Sequence, residues 1–306
     1  VRAAMMREIQ DTDYALLPAG ETEAVIQIKD GFTGSITNGR ITACLEVCQW
    51  KKRCQISFYN QKGELLLKEA GHGGALNNHS RHFRPRLGGD YELTVTFQAR
   101  EEEKLFGMGQ YQQELLDIKN CVLELAHRNS QASVPFVLSD AGYGFLWHNP
   151  AVGKVVFGKN LTEWYAESTE QMDYWITAGD TPEEIEKAYA KATGTVPMMP
   201  EYGLGFWQCK LRYWNQEQLL KVAREYHKRG VPVDVIVVDF YHWPKCGDFR
   251  FDEADFPDPK AMVDELREYG MELMVSIWPQ INLTSENYEE MRKNGLLIKN
   301  ECGVEI

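Results

Sequence analysis

The feature that most constrains the fold is a change of hydrophobic period at Thr181. Before it, many short segments alternate between apolar and polar residues and are rich in β-forming residues. At the change itself, Thr181 is a helix cap, Pro182 fits the first helical position, and Gly194 ends the helix. The pattern predicts an antiparallel β-sandwich over residues 1–180, a linker helix and connector over 181–201, and an α/β domain over 202–306.

Three strand–helix units follow in the second half of the chain. The predicted strands are YGLGFW, VDVIVVD and ELMVSIW, and the predicted helices begin at Asn215, Asp258 and Ser285. This order is typical of a doubly wound sheet or of a (β/α)8 barrel, and a barrel needs eight units and roughly 250 residues. The sequence after Tyr202 is too short for that. We therefore expect either an open sheet or the first part, about three βα units, of a TIM-type barrel.

Polar and aromatic residues follow each predicted strand, at the end where barrels and open sheets bind their ligands. An aromatic face stacks on a sugar ring, and a carboxylate accepts hydrogen bonds from hydroxyl groups. The mixture favours a carbohydrate ligand. Non-functional interpretations also exist for two of these residues. Asp239 could brace a loop, and Trp207 could equally well be an aromatic residue of the core. The predicted substrate-binding residues are Asp239, Trp278, Trp207, Arg212 and Phe240.

Charge and composition exclude several other functions. Acidic residues outnumber basic ones 45 to 33, giving a net charge of −12, which argues against a nucleic-acid-binding surface. No apolar run approaches the ~18 residues of a membrane helix. The seven cysteines are scattered and odd in number, as expected for reduced residues in a cytoplasmic protein. His72, His79 and His82 lack an ordered spacing, so we expect no metal site.

Four ordered motifs resemble glycoside hydrolase family 31, the α-glucosidases, α-xylosidases and related retaining enzymes. They are GFWQCKLRYWNQEQL, IVVDFYHW, FRFDEADFPDPKAMVDEL and LMVSIWP. The β half is similar as well, through LFGMGQYQQ and HRNSQASVPFVLSDAGYGFLWHNP, so that the resemblance runs from about Ile41 onward. Within the family, WQCKLRY and SIWP look most similar to α-xylosidases. The resemblance implies a β-sandwich followed by a barrel.

The resemblance also implies roles for individual residues. Asp239 matches the family aspartate that hydrogen-bonds hydroxyl groups of the sugar being cleaved, and Trp278 matches the tryptophan that walls that subsite. Trp207 and Arg212 match positions that border the pocket. A sandwich loop around residues 128–131 is expected to cover it.

The family's two catalytic aspartates have no match in this sequence. Its nucleophile follows the fourth barrel strand in a motif such as K-T-D-F-G-E or W-x-D-M-N-E, and its acid/base aspartate comes later. We expect both beyond Ile306, so that this chain alone is inactive. The expected parent is a retaining, exo-acting α-glycosidase that removes terminal α-xylosyl or α-glucosyl residues from oligosaccharides without a cofactor.

Two further expectations concern the function and the open sheet edge of the partial barrel. The alternative function is a non-catalytic carbohydrate-binding or structural module that keeps part of the fold.

A three-stranded parallel sheet leaves an edge unpaired. We expect that edge to be covered by the β domain, by self-association into a homo-oligomer, or by a rearranged strand.

Overall fold

The computed structural model describes residues 1–11, 14–18, 20–48, 53–71, 79–300 and 302–306. The chain divides into two compact units, Val1–Val196 and Pro197–Ile306. Among the described residues, no helix is both long and apolar enough to cross a membrane.

The described residues of the first unit form three antiparallel sheets of five strands each. Their strand orders are β1-β15-β12-β11-β9, β10-β13-β14-β8-β7 and β2-β3-β4-β5-β6. The strands are β1 (Arg2–Ala4), β2 (Val25–Ile28), β3 (Thr33–Asn38), β4 (Ile41–Cys48), β5 (Arg53–Asn60), β6 (Leu65–Lys68), β7 (Arg81–Pro85), β8 (Tyr91–Gln98), β9 (Leu105–Gln110), β10 (Val122–Leu125), β11 (Ala132–Ser139), β12 (Tyr143–Trp147), β13 (Gly153–Phe157), β14 (Leu161–Thr169) and β15 (Gln171–Ala178).

One apolar core joins these sheets. In β8 the alternation of the sequence is reproduced, because Leu93, Val95 and Phe97 are buried while their neighbours are less so. At the centre of the core, the Phe145 ring stacks on Tyr174 and Trp164 with centroid distances of 5.0 and 5.1 Å. The antiparallel, sandwich-like β half predicted from the sequence is confirmed.

Helix α1 (Pro182–Thr193) packs on the outer face of the first sheet. Its capping is as predicted: the Thr181 hydroxyl accepts a hydrogen bond from the Glu184 amide, and Gly194 ends the helix at a φ of 103°. The Tyr189 ring stacks on Phe136 at a centroid distance of 3.9 Å. The helix therefore belongs to the first unit, where it forms a second, smaller apolar cluster, and the boundary between the units follows it.

The second unit is a parallel sheet with helices between its strands. The strand order is β16 (Trp207–Lys210), β17 (Val235–Val238), β18 (Glu272–Val275), and the helices are α2 (Gln216–Lys228), α3 (Pro259–Glu268) and α4 (Tyr288–Lys293). Caps predicted from the sequence are present, since Asn215 accepts from the Gln218 amide and Asp258 from the Ala261 amide, both at 2.9 Å. Apolar faces of α2 and α3 pack on the sheet around Ile236 and Val238.

Two predicted boundaries in this unit were wrong. The first strand begins at Trp207 rather than ending there, and residues 201–204 form a turn of 3₁₀ helix. The run YGLGFW contains two glycines, which weaken a strand, whereas residues 207–210 pair with β17. The third helix begins at Tyr288, three residues after Ser285. Besides α4, the described residues after β18 form no further strand and contain one isolated β-bridge, between Lys299 and Glu305.

Candidate functional site

Strand register decides which predicted residues meet at one edge of the second unit. Lys210, Val238 and Val275 are level across β16, β17 and β18, so the residues that follow them lie at the same edge. Trp207 pairs with Val235 at the opposite end of its strand, and its Nε1 donates to the Tyr202 carbonyl oxygen at 2.9 Å. The prediction that Trp207 follows the first strand was therefore wrong.

Asp239 is the first residue after β17, and its side chain is half-buried. One carboxylate oxygen, Oδ1, accepts a hydrogen bond from the Phe240 amide at 2.8 Å, and no other described residue donates to the side chain. Nearby, burial and then the negative charge of Asp239 raise the pKa of the Cys209 thiol. The Asp239 carboxyl group thus has unused acceptor capacity at the edge of the sheet.

His242 supports the backbone behind this carboxylate. It is buried, and its Nδ1 donates to the Asp239 carbonyl oxygen at 3.1 Å. Its ring contacts Trp243 and Phe251, with centroid distances of 4.6 and 5.0 Å. Burial lowers the pKa of His242, so the imidazole is neutral at pH 7. His242 therefore has a structural role in this loop.

A continuous row of planar groups crosses the ends of the three strands. The Phe240 ring stacks on Trp278 with a centroid distance of 4.9 Å and an interplanar angle of 14°. Phe240 also contacts Tyr241, at a centroid distance of 4.3 Å. The Arg212 guanidinium lies between Tyr241 and Trp214, with its Cζ 5.0 and 3.9 Å from their ring centroids. We call these five residues the aromatic row.

The structure thus brings together three residues predicted from the sequence, Arg212, Phe240 and Trp278, and adds Trp214. Trp214 was not among the predicted residues, although it follows Arg212 by two residues at the same strand end. Residues 128–131, predicted as a covering loop, lie in the first unit, where the Arg128 guanidinium donates to the Glu124 carboxylate. His72 lies outside the described residues, and the described part of the chain has no group of three or more potential ligand side chains placed to hold a metal.

The loops that carry Phe240 and Trp278 are fastened to each other through Asp248. Its two carboxylate oxygens accept hydrogen bonds from the amides of Lys245 and Glu286, each at 3.0 Å. The Asn287 side chain donates to the Gly247 carbonyl oxygen at 2.7 Å, and Arg250 pairs with Glu286. We call this set of contacts the Asp248 latch. It fixes the segment after β18 against the loop after β17. This connection between the two loops was not predicted from the sequence.

Ionisation of Asp248 is part of the latch. Burial of the side chain works against the charged form, but hydrogen bonds from the Glu286 amide, the Ser285 hydroxyl and the Lys245 amide outweigh it and lower the pKa of Asp248. The carboxylate is therefore charged at neutral pH while it lies buried in the loop.

Comparison with known proteins agrees with this geometry. The family model described as "Glycosyl hydrolases family 31 TIM-barrel domain" matches residues 196–306. Residues 196–306 therefore match the barrel domain of family 31. A family 31 glucosidase of Pseudescherichia vulneris is 49% identical over 100% of this chain and 60% of its own length. An alpha-xylosidase of Saccharolobus solfataricus is 33% identical over 79% of this chain and 35% of its own length.

Solved structures give the same result. The crystal structure of a family 31 alpha-xylosidase from a soil metagenome, complexed with xylose, is 48% identical and superimposes with a TM-score of 0.91. That match covers 100% of this chain and 47% of the other. The family resemblance and the fold, a β-sandwich followed by part of a barrel, are confirmed. This chain therefore spans 60% of one family 31 relative and about half of another.

The chemistry that the described site offers follows from its groups. A carboxylate beside stacked rings accepts hydrogen bonds from hydroxyl groups and offers flat faces to a sugar ring. Retaining hydrolysis of a glycoside requires two carboxyl groups about 5–5.5 Å apart, one as nucleophile and one as acid/base. Asp239 by itself supplies a single carboxylate.

Proposed function

We propose that this chain forms the sugar-binding side of a retaining, exo-acting α-glycosidase. In this proposal Asp239 accepts hydrogen bonds from hydroxyl groups of the terminal α-xylosyl or α-glucosyl unit, and Trp278 and Phe240 wall that unit. The observation that carries the proposal is the stacked pair Phe240–Trp278 next to a half-buried carboxylate that has acceptor capacity to spare. Arg212 borders the site through its contact with Tyr241.

For the whole protein we propose a double displacement that uses two carboxyl groups. One carboxyl group attacks the anomeric carbon and a second protonates the leaving oxygen, then activates water. In the proposal, both come from barrel strands that follow the three described here. No metal or organic cofactor is required, because the two carboxyl groups carry out every step. The unpaired state of the six described cysteines supports a cytoplasmic location.

The test is the change Asp239→Asn in a protein that joins this chain to a complete set of barrel strands. Asparagine is similar in size to aspartate but removes the charge, and charge-assisted hydrogen bonds contribute about 1.5–3 kcal/mol each. With two such bonds to the sugar, kcat/KM for an α-xyloside or α-glucoside falls about 100-fold or more. Assays on paired p-nitrophenyl α-xyloside and α-glucoside measure this and rank the two sugars.

Asp264→Asn is the matched control, because Asp264 lies exposed on α3 and pairs only with Lys260 on the same helix. We expect its activity and its melting temperature to equal those of the parent. Equal activity of the Asp239→Asn variant and the control would remove Asp239 from the sugar site. Sugar binding without turnover in the completed barrel would instead favour a carbohydrate-binding module.

A further inference from the structure

The edge strand β2 in the first unit is apolar and exposed. Its sequence is VIQI, and all four residues are exposed. Among the described residues it pairs with β3 alone, so its other edge has no strand beside it. Edge strands of soluble proteins usually carry charges, prolines or bulges that prevent pairing with another chain. Because β2 has no charge or proline and pairs with β3 in an unbroken register, this edge is open to a further strand.

One face of this sheet continues the core of the first unit outward to the free edge. The residues level with one another across β5, β4, β3 and β2 are Phe58, Ala43, Ile36 and Ile26. Phe58 is buried, and Ala43 packs against the core beside it. Farther out, Ile36 and Ile26 are 43% and 66% exposed, and Ile28, on the same face of β2, is 76% exposed. The apolar face therefore extends beyond what the described residues cover.

The backbone groups at the free edge belong to Ile26 and Ile28. In an antiparallel pair, alternate residues direct their N–H and C=O groups toward the partner strand. Just after β2, the Lys29 amide donates to the Thr33 carbonyl oxygen of β3 at 3.0 Å. The odd-numbered residues of β2 therefore face β3, and the backbone groups of Ile26 and Ile28 point away from the sheet. The free hydrogen-bonding groups and the most exposed apolar side chains are thus on the same two residues.

We propose that β2 pairs antiparallel with β2 of a second copy of this chain, about a twofold axis at Ile26. A twofold axis requires a self-complementary surface, because each residue meets the one that mirrors it around the axis. Glu23 and Lys29 are exposed and lie three positions before and after Ile26, so each meets the opposite charge of the other copy. An axis at Gln27 would instead set Lys29 against Val25, so charge favours the axis at Ile26 over that one.

The pairing joins the two five-stranded sheets into one continuous sheet. It brings the exposed isoleucine side chains of both copies together on one face and sets the ion pairs on the other. This inference concerns the first unit and does not rest on the proposed sugar site. Because an edge-strand interface is small, we expect a weak dimer, with a dissociation constant of about 1–100 μM.

An engineered disulfide tests the axis in the completed barrel, whose own strand edges are paired. At the axis, the two copies of position 26 form a hydrogen-bonded pair with Cα atoms about 5.5 Å apart, which is within the range of a disulfide. We therefore expect Ile26→Cys to give a covalent dimer on mild oxidation. The parent protein has the same native cysteines and provides the background.

Ile28→Cys is the matched control, because Ile28 is similarly exposed and lies on the same face of the same strand. In the proposed register it is four residues, about 13 Å, from its own counterpart, which is too far for a disulfide. Covalent dimer from Ile26→Cys and only background from Ile28→Cys supports the pairing. Equal yields from the two variants, or background from both, would overturn it.

Charge reversal tests the register by a second route, sedimentation equilibrium. We expect Glu23→Lys to weaken the dimer about tenfold, because two ion pairs become two repulsive contacts, and the added change Lys29→Glu to restore it. Leu87→Lys, on the exposed β7–β8 turn, alters the charge elsewhere in the unit and should leave the dimer unchanged. An unaltered dimer in Glu23→Lys contradicts the register. A parent that stays monomeric at about 1 mM refutes the proposal, and the strand is then covered by the rest of the protein or by another partner.

Discussion

The Asp248 latch leads to a specific prediction for the change Asp248→Asn. The carboxylate accepts two backbone hydrogen bonds, from Lys245 and Glu286, both at 3.0 Å. Asparagine keeps one carbonyl acceptor but turns an NH₂ group toward the other amide, so one buried donor loses its partner. A hydrogen bond to a charged group contributes about 1.5–3 kcal/mol, and we expect a loss of about 2 kcal/mol.

Hydrogen exchange measures this loss locally, which matters because a chain with two compact units need not unfold in one step. A loss of about 2 kcal/mol raises the opening constant of the latch about 30-fold, so peptides spanning residues 282–288 should exchange faster by that factor. The exposed variant Asp264→Asn provides the baseline. Exchange in Asp248→Asn within about threefold of that baseline would show that the latch does not hold the loop.

The latch also gives stability a pH dependence with a definite sign. The pKa of Asp248 is lower in the folded protein than in the unfolded chain, so its contribution is fully present above the ordinary carboxyl range. That contribution is lost as the pH falls through the lowered, folded-state pKa. Protection of the Glu286 amide should therefore drop in acid in the parent protein, and this drop should be absent in Asp248→Asn.

Two more changes test the local structure. Asn215→Ala removes the acceptor of the Gln218 amide at the start of α2 and should cost about 1 kcal/mol of stability in the second unit, measured by urea unfolding followed by tryptophan fluorescence. Gly109→Ala should cost at least about 2 kcal/mol in the first unit, since φ is +95° and the new Cβ would lie 2.2 Å from the Ala132 carbonyl oxygen. In thermal melts, Gly31→Ala, at φ +76° with nothing within 4 Å, should be the milder change.

Local signals predicted much of the fold. The caps Thr181, Asn215 and Asp258 were identified because each bonds an amide only three residues ahead, so the whole interaction lies within a short sequence window. The division of the chain into a β unit and an α/β unit was predicted from the hydrophobic period, which is also a local signal. Sequence failed at Trp207, because a strand's ends are set by its neighbour in the sheet, here by pairing with Val235.

The site was predicted only in part, for a similar reason. Asp239 and Phe240 were selected as the residues that follow an apolar strand, and the family motifs pointed to Trp278. Stacking of Arg212 against Tyr241 and the bond from Glu286 to Asp248 join residues 29 and 38 positions apart, which no local pattern encodes. Contacts of that kind become visible only when the loops are folded.

The thiol beside Asp239 has a practical consequence. The raised pKa of the Cys209 thiol keeps it protonated at neutral pH, so electrophiles modify it slowly. Because the neighbouring carboxylate contributes to that shift, the alkylation rate reports the local charge. A probe attached at this sulfur would stand within the field of the carboxylate, and its spectrum would register any ligand that neutralises or shields it.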